Sequence, residues 1–153
     1  MAKMIVFDMD GTIADLFGVE NWLEKLRAFD ASPYATAKPI YDMDDLRDVL
    51  IALINENWEI RVVSWLSKES PPEYSKATRI AKREWLAKYR FPADKIHLVA
   101  YGTTKANCVR KETDYAILID DNEKIRRGWK LGATINPTSG NLLQDLESLL
   151  MRV

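Results

Sequence analysis

Short apolar runs rich in β-branched residues recur along the chain at Met4 to Phe7, Ile60 to Val63, Ile96 to Ala100, Ala116 to Ile119 and Ala133 to Ile135. Each has the length of a strand rather than of a helix. Between them the period changes. From Asp44 to Asn57, residues Leu46, Val49, Leu50, Leu53 and Ile54 fall on one helical stripe, and Asp44 and Asp45 sit at the end where the helix dipole favours negative charge. Ser75 to Tyr89 repeats the pattern, with Ala77, Ile80, Ala81, Trp85 and Tyr89 expected inward. Val19 to Phe29, Glu123 to Leu131 and Asn141 to Met151 are further helical candidates. Strands that alternate with helices predict an α/β architecture, a parallel sheet covered on both faces.

Two stretches break the alternation. Ala28 to Met43 carries Pro33 and Pro39 with little periodicity and reads as a loop or small lid, a length that in compact domains often carries function. Ser64 to Lys76 reads as a second loop, kept from being helical by Pro71 and Pro72. There is no internal repeat and no low-complexity segment.

Composition narrows the class without choosing the chemistry. A length of 153 residues predicts one domain, spanning 1–153 with a small lid or loop insertion around 15–43. Apolar residues make up 47% and charged residues 29%, with 22 basic against 23 acidic side chains, so no global charge draws the chain to polyanions. Cys108 and His97 are the single cysteine and histidine, which excludes an intrachain disulfide and a zinc site of clustered Cys and His; both read as packing residues. The opening MAKMIVFDMDG has too short an apolar run for a signal peptide, and no apolar stretch approaches a membrane span. The expected location is cytoplasmic, with no membrane partner.

Candidate chemistry lies at strand ends. The first strand runs into Asp8-Met9-Asp10-Gly11-Thr12, where residues i and i+2 point to one side and Gly11 lets the backbone turn sharply. Neighbouring carboxylates repel, and a divalent cation relieves that. An Asp-Gly turn with aspartates capping a helix would explain this pair alone. The fourth strand, however, ends in Asp120-Asp121-Asn122, which brings further carboxyl groups to the crevice beyond the strand ends where open α/β sheets bind ligands. Hard oxygen donors in that number favour Mg²⁺. Ser64, followed by Trp65, ends the second strand, and Lys105 follows Tyr101-Gly102-Thr103-Thr104. A hydroxyl, backbone N–H groups and an ammonium are what phosphate oxygens need opposite a metal.

Asp8-Met9-Asp10-Gly11-Thr12, Ser64, Lys105 and Asp120-Asp121 together resemble, in order, the four motifs of the haloacid dehalogenase-like (HAD) superfamily, over Met4 to about Pro137. The resemblance implies a three-layer Rossmann-like fold with a five-stranded parallel sheet in order 3-2-1-4-5. It makes Asp8 the nucleophile that forms an aspartyl-phosphate and Asp10 the general acid/base. Ser64, Trp65, Lys105 and Gly11 would hold the phosphoryl group. Mg²⁺ would be bound by the Asp8 carboxylate, the Asp10 main-chain carbonyl and one or both of Asp120 and Asp121. An aspartate at the position of Asp10 points to phosphatase or phosphomutase chemistry rather than to the superfamily's ATPases or dehalogenases.

Superfamily members select substrates largely through cap insertions, and here the spacing from Thr12 to Ser64 and from Ser64 to Lys105 leaves room for a minimal first cap only. An open site follows, unless an oligomer partner covers it. Phe17, Trp22, Phe29, Tyr34 and Tyr41 cluster in the first insertion; Trp22 and Phe29 fit the inner face of the Val19 helix, and Tyr34 and Tyr41 are the candidate substrate lid. This segment is similar to that of 5′(3′)-deoxyribonucleotidases, though shorter. The expected substrate is a nucleotide or other small phosphate monoester. Lys76, Arg79, Lys82, Arg83 and Arg90, read as the outer face of the Ser75 helix, are either a solvated basic face or a track for a nucleic-acid backbone. The second meaning would suit a polynucleotide 3′-phosphatase, similar to the phosphatase domains of polynucleotide kinase/phosphatases. A non-catalytic, metal-binding interaction module is the reading from a different class.

Overall fold

The computed structural model describes residues 2–150 of the chain. In order its elements are β1 (Ala2–Phe7), β2 (Ala14–Asp15), α1 (Trp22–Arg27), α2 (Ser32–Thr36), β3 (Lys38–Pro39), α3 (Met43–Asn55), β4 (Trp58–Trp65), α4 (Pro72–Lys88), β5 (Lys95–Val99), β6 (Thr113–Ile119), α5 (Glu123–Gly128), β7 (Thr134–Ile135) and α6 (Leu142–Leu150). The main sheet has the order β5-β4-β1-β6-β7 with every neighbouring pair parallel. Counted along the chain this is the expected 3-2-1-4-5. The antiparallel pair β2-β3 stands apart from it.

Alternation along the strands assigns the two faces. Ile5, Phe7, Ile60, Val62, Ile117 and Ile119 pack with residues of α3, α4 and α6. Met4, Val6, Val63, Ala116 and Leu118 face the other way, onto Ala106, Val109 and Trp129. Burial on both faces is why these strands read as continuous apolar runs. α3 forms where its stripe was expected, with Leu46, Leu50 and Leu53 buried and the Asp42 side chain accepting from the Asp44 and Asp45 amides. α6 buries Leu142, Leu146 and Leu149, while Met151, expected at its end, lies outside the described residues.

The structure differs from the expectations in the two stretches read as loops. Ala28 to Met43 contains α2 and β3. Pro33 lies in the first turn of α2, where a missing N–H costs nothing, so it starts a helix rather than preventing one. The helix expected over Val19 to Phe29 is confined to α1, bounded by Asn21 and Phe29 in left-handed conformation (φ 58° and 59°), which a right-handed helix cannot pass through. α4 starts at Pro72, not at Ser75, again with proline in the first turn. Its buried face is Tyr74, Thr78, Ala81, Lys82, Trp85 and Leu86, so Ala77 and Ile80, expected inward, are exposed. Against the N-terminal half of α4 sits the first insertion, through a cluster of Leu16, Tyr34, Tyr74 and Ala81 joined by Trp22 and Leu26. No helix among the described residues is long and apolar enough to cross a membrane.

Candidate active site

β1 and β6 are neighbours, and the Asp8 amide donates to the Ile119 carbonyl at 2.9 Å, carrying the ladder one residue beyond β1. Asp8 and Asp120, the first residues past each strand, therefore emerge side by side. The Lys105 ammonium joins them, 2.9 Å from Asp8 Oδ1 and 2.8 Å from Asp120 Oδ2. The Thr12 hydroxyl lies 2.9 Å from Asp8 Oδ2 and 3.2 Å from Asp121 Oδ1, so it donates to one of them, and it accepts from the Asp121 amide at 3.2 Å. One oxygen from each of Asp8, Asp120 and Asp121 falls within 4.8 Å of the others. Thr12 is a site residue that the motif pattern alone assigns no role; its place four residues after Asp8, at the foot of a turn, is the signal in the sequence.

Gly11 closes that turn at φ +80°, and a Cβ there would come within 2.5 Å of Asp121 Oδ2 and 2.8 Å of the Phe17 ring. Its amide donates to the Ala14 carbonyl at 2.9 Å, so Gly11 shapes the turn as expected, and its own N–H is engaged within that turn.

Asp10 faces a second lysine, which the sequence had placed on a solvent stripe. Lys82 is fully buried, and its Nζ donates to Asp10 Oδ2 at 2.9 Å, to Ser64 Oγ at 2.8 Å and to the Trp65 carbonyl at 2.9 Å. Ser64, at the end of β4, thus borders the site as expected, with its oxygen fixed by Lys82. The Trp65 indole N–H donates to the Thr103 carbonyl at 2.8 Å, and its ring stands 5.1 Å from the Tyr101 ring, centroid to centroid. Tyr34 is only 4% exposed; its ring lies 4.7 Å from Lys82 Nζ and its hydroxyl 2.9 Å from Ser67 Oγ, so it backs the site rather than covering it as a lid. Tyr41 is not at the site: its hydroxyl donates to the Pro137 carbonyl at 2.7 Å and its ring packs on the core.

Burial raises the Asp10 carboxyl above the ordinary carboxylate range even though Lys82 pulls it down. Asp120 is raised for the same reason and by the charge of Asp8, and Asp121 by burial with Asp8 and Asp120 beside it. For Lys105, burial acts to lower the value, but Asp8 and Asp120 outweigh it and the ammonium is held more firmly than usual. Four carboxyl groups share the site with two ammonium groups, so two negative charges stand in excess only when all four are ionised, as they would be beside a bound cation. That donor set, all oxygen, fits a hard divalent cation.

The carboxylates open into a cleft of about 740 Å³ whose walls include Phe17, Trp22, Phe29, Trp65 and Tyr101. Phe17, Phe29 and Tyr101 are more than half exposed, at 51%, 56% and 56%. Trp22, read as a helix's inner face, does pack inward onto the cluster of Leu16, Tyr34, Tyr74 and Ala81 while also bordering this cleft; Phe29, read the same way, is exposed on the cleft wall. The basic stripe without Lys82 remains exposed on α4 and its C-terminal turn as Lys76, Arg79, Arg83 and Arg90.

No family model and no curated protein sequence matches the chain. Among solved structures, a D,D-heptose 1,7-bisphosphate phosphatase from Burkholderia thailandensis is similar with a TM-score of 0.53 and 11% identity, over 95% of this chain and 99% of that one. The HAD domain of an effector protein from Legionella pneumophila gives 0.49 at 16% identity, over 96% and 94% of the two chains. A haloacid dehalogenase-like hydrolase from Burkholderia xenovorans gives 0.47 at 12%, over 88% and 83%. The first of these likenesses shows the fold: the chain has the α/β fold of that structure, a parallel sheet between helices.

Proposed function

We propose that this chain hydrolyses phosphomonoesters through an aspartyl-phosphate on Asp8, with Mg²⁺ held by Asp8, the Asp10 carbonyl and Asp120 or Asp121, and that its substrate is a nucleotide or other small phosphate monoester. One observation carries the reading: Asp8 and Asp10 sit two residues apart at the mouth of the sheet, each paired with a different buried lysine, in different electrostatic surroundings. Two carboxyl groups so separated can divide the work of nucleophile and of acid/base.

An Asp8 carboxylate oxygen attacks phosphorus as the bond to the leaving oxygen breaks, and Asp10, protonated, gives its proton to that oxygen. Water then attacks the phosphorus of the aspartyl-phosphate and passes a proton to Asp10 as the Asp8 oxygen–phosphorus bond breaks, which restores both groups. The raised Asp10 value supports its carrying a proton into the first step. Lys105 offsets charge on Asp8 and Asp120, and the Ser64 hydroxyl is placed to donate to a phosphoryl oxygen. A bound divalent cation would supply the remaining positive charge as nucleophile and phosphate, both anionic, approach. The exposed aromatic walls favour a leaving group with a flat face.

A 3′-phosphate end of DNA or RNA is the second reading, favoured by the exposed stripe of Lys76, Arg79, Arg83 and Arg90. Phosphate release from nucleoside 5′- and 3′-monophosphates, sugar phosphates and 3′-phosphorylated oligonucleotides, with Mg²⁺ or EDTA, tests both. Release that needs Mg²⁺ and is lost in Asp8→Asn is expected, and the best substrate decides the class. Equal inertness of wild type and Asp8→Asn across the panel would overturn the enzyme reading in favour of a metal-binding module.

A further inference from the structure

Lys82 has a role that the phosphatase reading does not itself require, and its geometry is specific. An ammonium has three hydrogens, and Lys82 meets three acceptors, at Asp10 Oδ2, Ser64 Oγ and the Trp65 carbonyl, all between 2.8 and 2.9 Å. Its remaining side faces the Tyr34 ring at 4.7 Å. Tyr34 is in turn held through Ser67, whose Oγ lies 2.9 Å from the Tyr34 hydroxyl and 3.3 Å from that of Tyr74. An ammonium taken this far from water is tolerated only where its partners are fixed in advance. Lys82 therefore has no hydrogen left for a substrate. It does have a fixed hold on two groups that a substrate would meet.

We infer, resting on the proposed phosphatase chemistry, that Lys82 is a positioning residue that aims the Asp10 carboxyl at the leaving oxygen and turns the Ser64 hydroxyl hydrogen toward the phosphoryl group. The first part follows from the bond to Asp10 Oδ2, which anchors one carboxyl oxygen and leaves the other to carry the transferred proton. The second follows because Ser64 Oγ accepts from Lys82, so its own hydrogen must point elsewhere. The site divides its cations by task. Lys105 bridges Asp8 and Asp120, on the side of the nucleophile, while Lys82 serves the side of the leaving group.

Leaving-group dependence separates this role from a merely structural one. An alkyl phosphate needs its leaving oxygen protonated; 2,4-dinitrophenyl phosphate expels a stable anion and does not. For Lys82→Met, kcat on the alkyl ester is expected to fall on the order of 10²-fold or more and on the dinitrophenyl ester by less than about tenfold, the range that general acid catalysis supplies. The ratio of the two rates should approach that of Asp10→Asn, whereas Ser64→Ala should lower both alike. If Lys82→Met does not unfold cooperatively, Lys82→Gln, which keeps a donor of similar length, is read by the same ratio. Equal losses on the two esters, in a protein whose wild type is active, overturn the role of Lys82 alone. A wild type inert on both esters overturns the phosphatase reading, and this inference with it.

Discussion

Arg61, in the middle of β4, is 1% exposed, yet each guanidinium nitrogen has a partner: it donates to Glu59 at 2.8 and 3.1 Å and to Glu112 at 3.1 Å, and it lies 3.1 Å from His97 Nε2. Lys95 completes the group by donating to Glu112 at 3.0 Å. Two cations meet two acids, and both acids keep 31% and 42% of their side-chain surface in water. At the C-terminal ends of the same sheet the cations are buried too, but the acids are withdrawn from water with them. There the cations Lys82 and Lys105 are the buried partners of an acidic excess that Asp8, Asp10, Asp120 and Asp121 do not resolve among themselves. Burying charge is costly in both places. The Arg61 group closes its own balance and needs nothing further. The strand-end group is left open, which is what the proposed binding of a cation and a phosphate there would require.

The largest effect that would break this contrast comes from Asp8→Asn. Activity should fall on the order of 10³-fold or more, as when other nucleophiles are removed, while the midpoint of denaturant unfolding stays level or rises because one unresolved charge is gone. A clear loss of stability in that variant would show that the strand-end acids are as structural as the Arg61 group. Arg61→Ala should do the reverse. It removes the one cation shared by Glu59 and Glu112 and is expected to cost about 3 kcal/mol in urea unfolding, the lower end for a broken buried pair because both acids can turn to water. Its turnover per folded molecule should remain within a few-fold of wild type.

Mg²⁺ sharpens the comparison at the next scale. Saturation to a hundred times its Kd should stabilise the folded chain by about 2.7 kcal/mol, read as a rise in the thermal midpoint. Asp120→Asn should reduce that rise and Arg61→Ala should leave it intact. A rise of the same size in both variants would place the cation somewhere other than the strand ends.

The contrast also explains what could be read from the chain alone. The sheet was legible because each strand is buried on both faces and so appears as an unbroken apolar run. The meeting of Asp8 with Asp120 and Asp121 was legible because two strand ends that open on one crevice each carry a carboxylate pair, which helix capping at one of them does not explain. Lys82 is not legible in the same way, because a helix read from Ser75 omits Tyr74, and the face through Ala77 and Ile80 then puts Lys82 outside. With Pro72 as the first residue, Tyr74, Thr78, Ala81, Lys82 and Trp85 follow one face. A lysine on that apolar face was the available signal, masked by Arg79 and Arg83 nearby in sequence. Tyr41 departs from expectation for a different reason: an aromatic in a proline-bearing segment is a reasonable ligand contact from sequence, but its hydroxyl is spent on the Pro137 carbonyl. Arg61, an isolated cation between Ile60 and Val62, could be placed in a strand, whereas its partners Glu112 and His97 come from elements 51 and 36 residues away.

The smallest effect concerns pH, and the two regions should pull in opposite directions. Without metal, burial together with Asp8 and Asp120 pushes the Asp121 carboxyl from its ordinary 3.8 up to about 7. Across that interval the folded chain keeps a proton that the unfolded chain has released, so this group's contribution is full below 3.8 and is lost as pH rises through about 7. Glu112 behaves conversely. Its hydrogen bonds from Arg61 and Lys95 lower it from 4.5 to about 2, so its contribution is full above 4.5 and is lost as pH falls toward 2. The thermal midpoint of the metal-free protein should therefore climb from strongly acid pH, level off in the mildly acid range and decline gently toward neutrality. Asp121→Asn should flatten the decline on the neutral side only, and Glu112→Gln the climb on the acid side only. Saturating Mg²⁺ should act as Asp121→Asn does, since a bound cation keeps the carboxylate ionised in the folded state. If the decline survives both Mg²⁺ and Asp121→Asn at full size, the proton it reports is not on Asp121, and Asp10 and Asp120, whose carboxyls burial also raises, carry it instead.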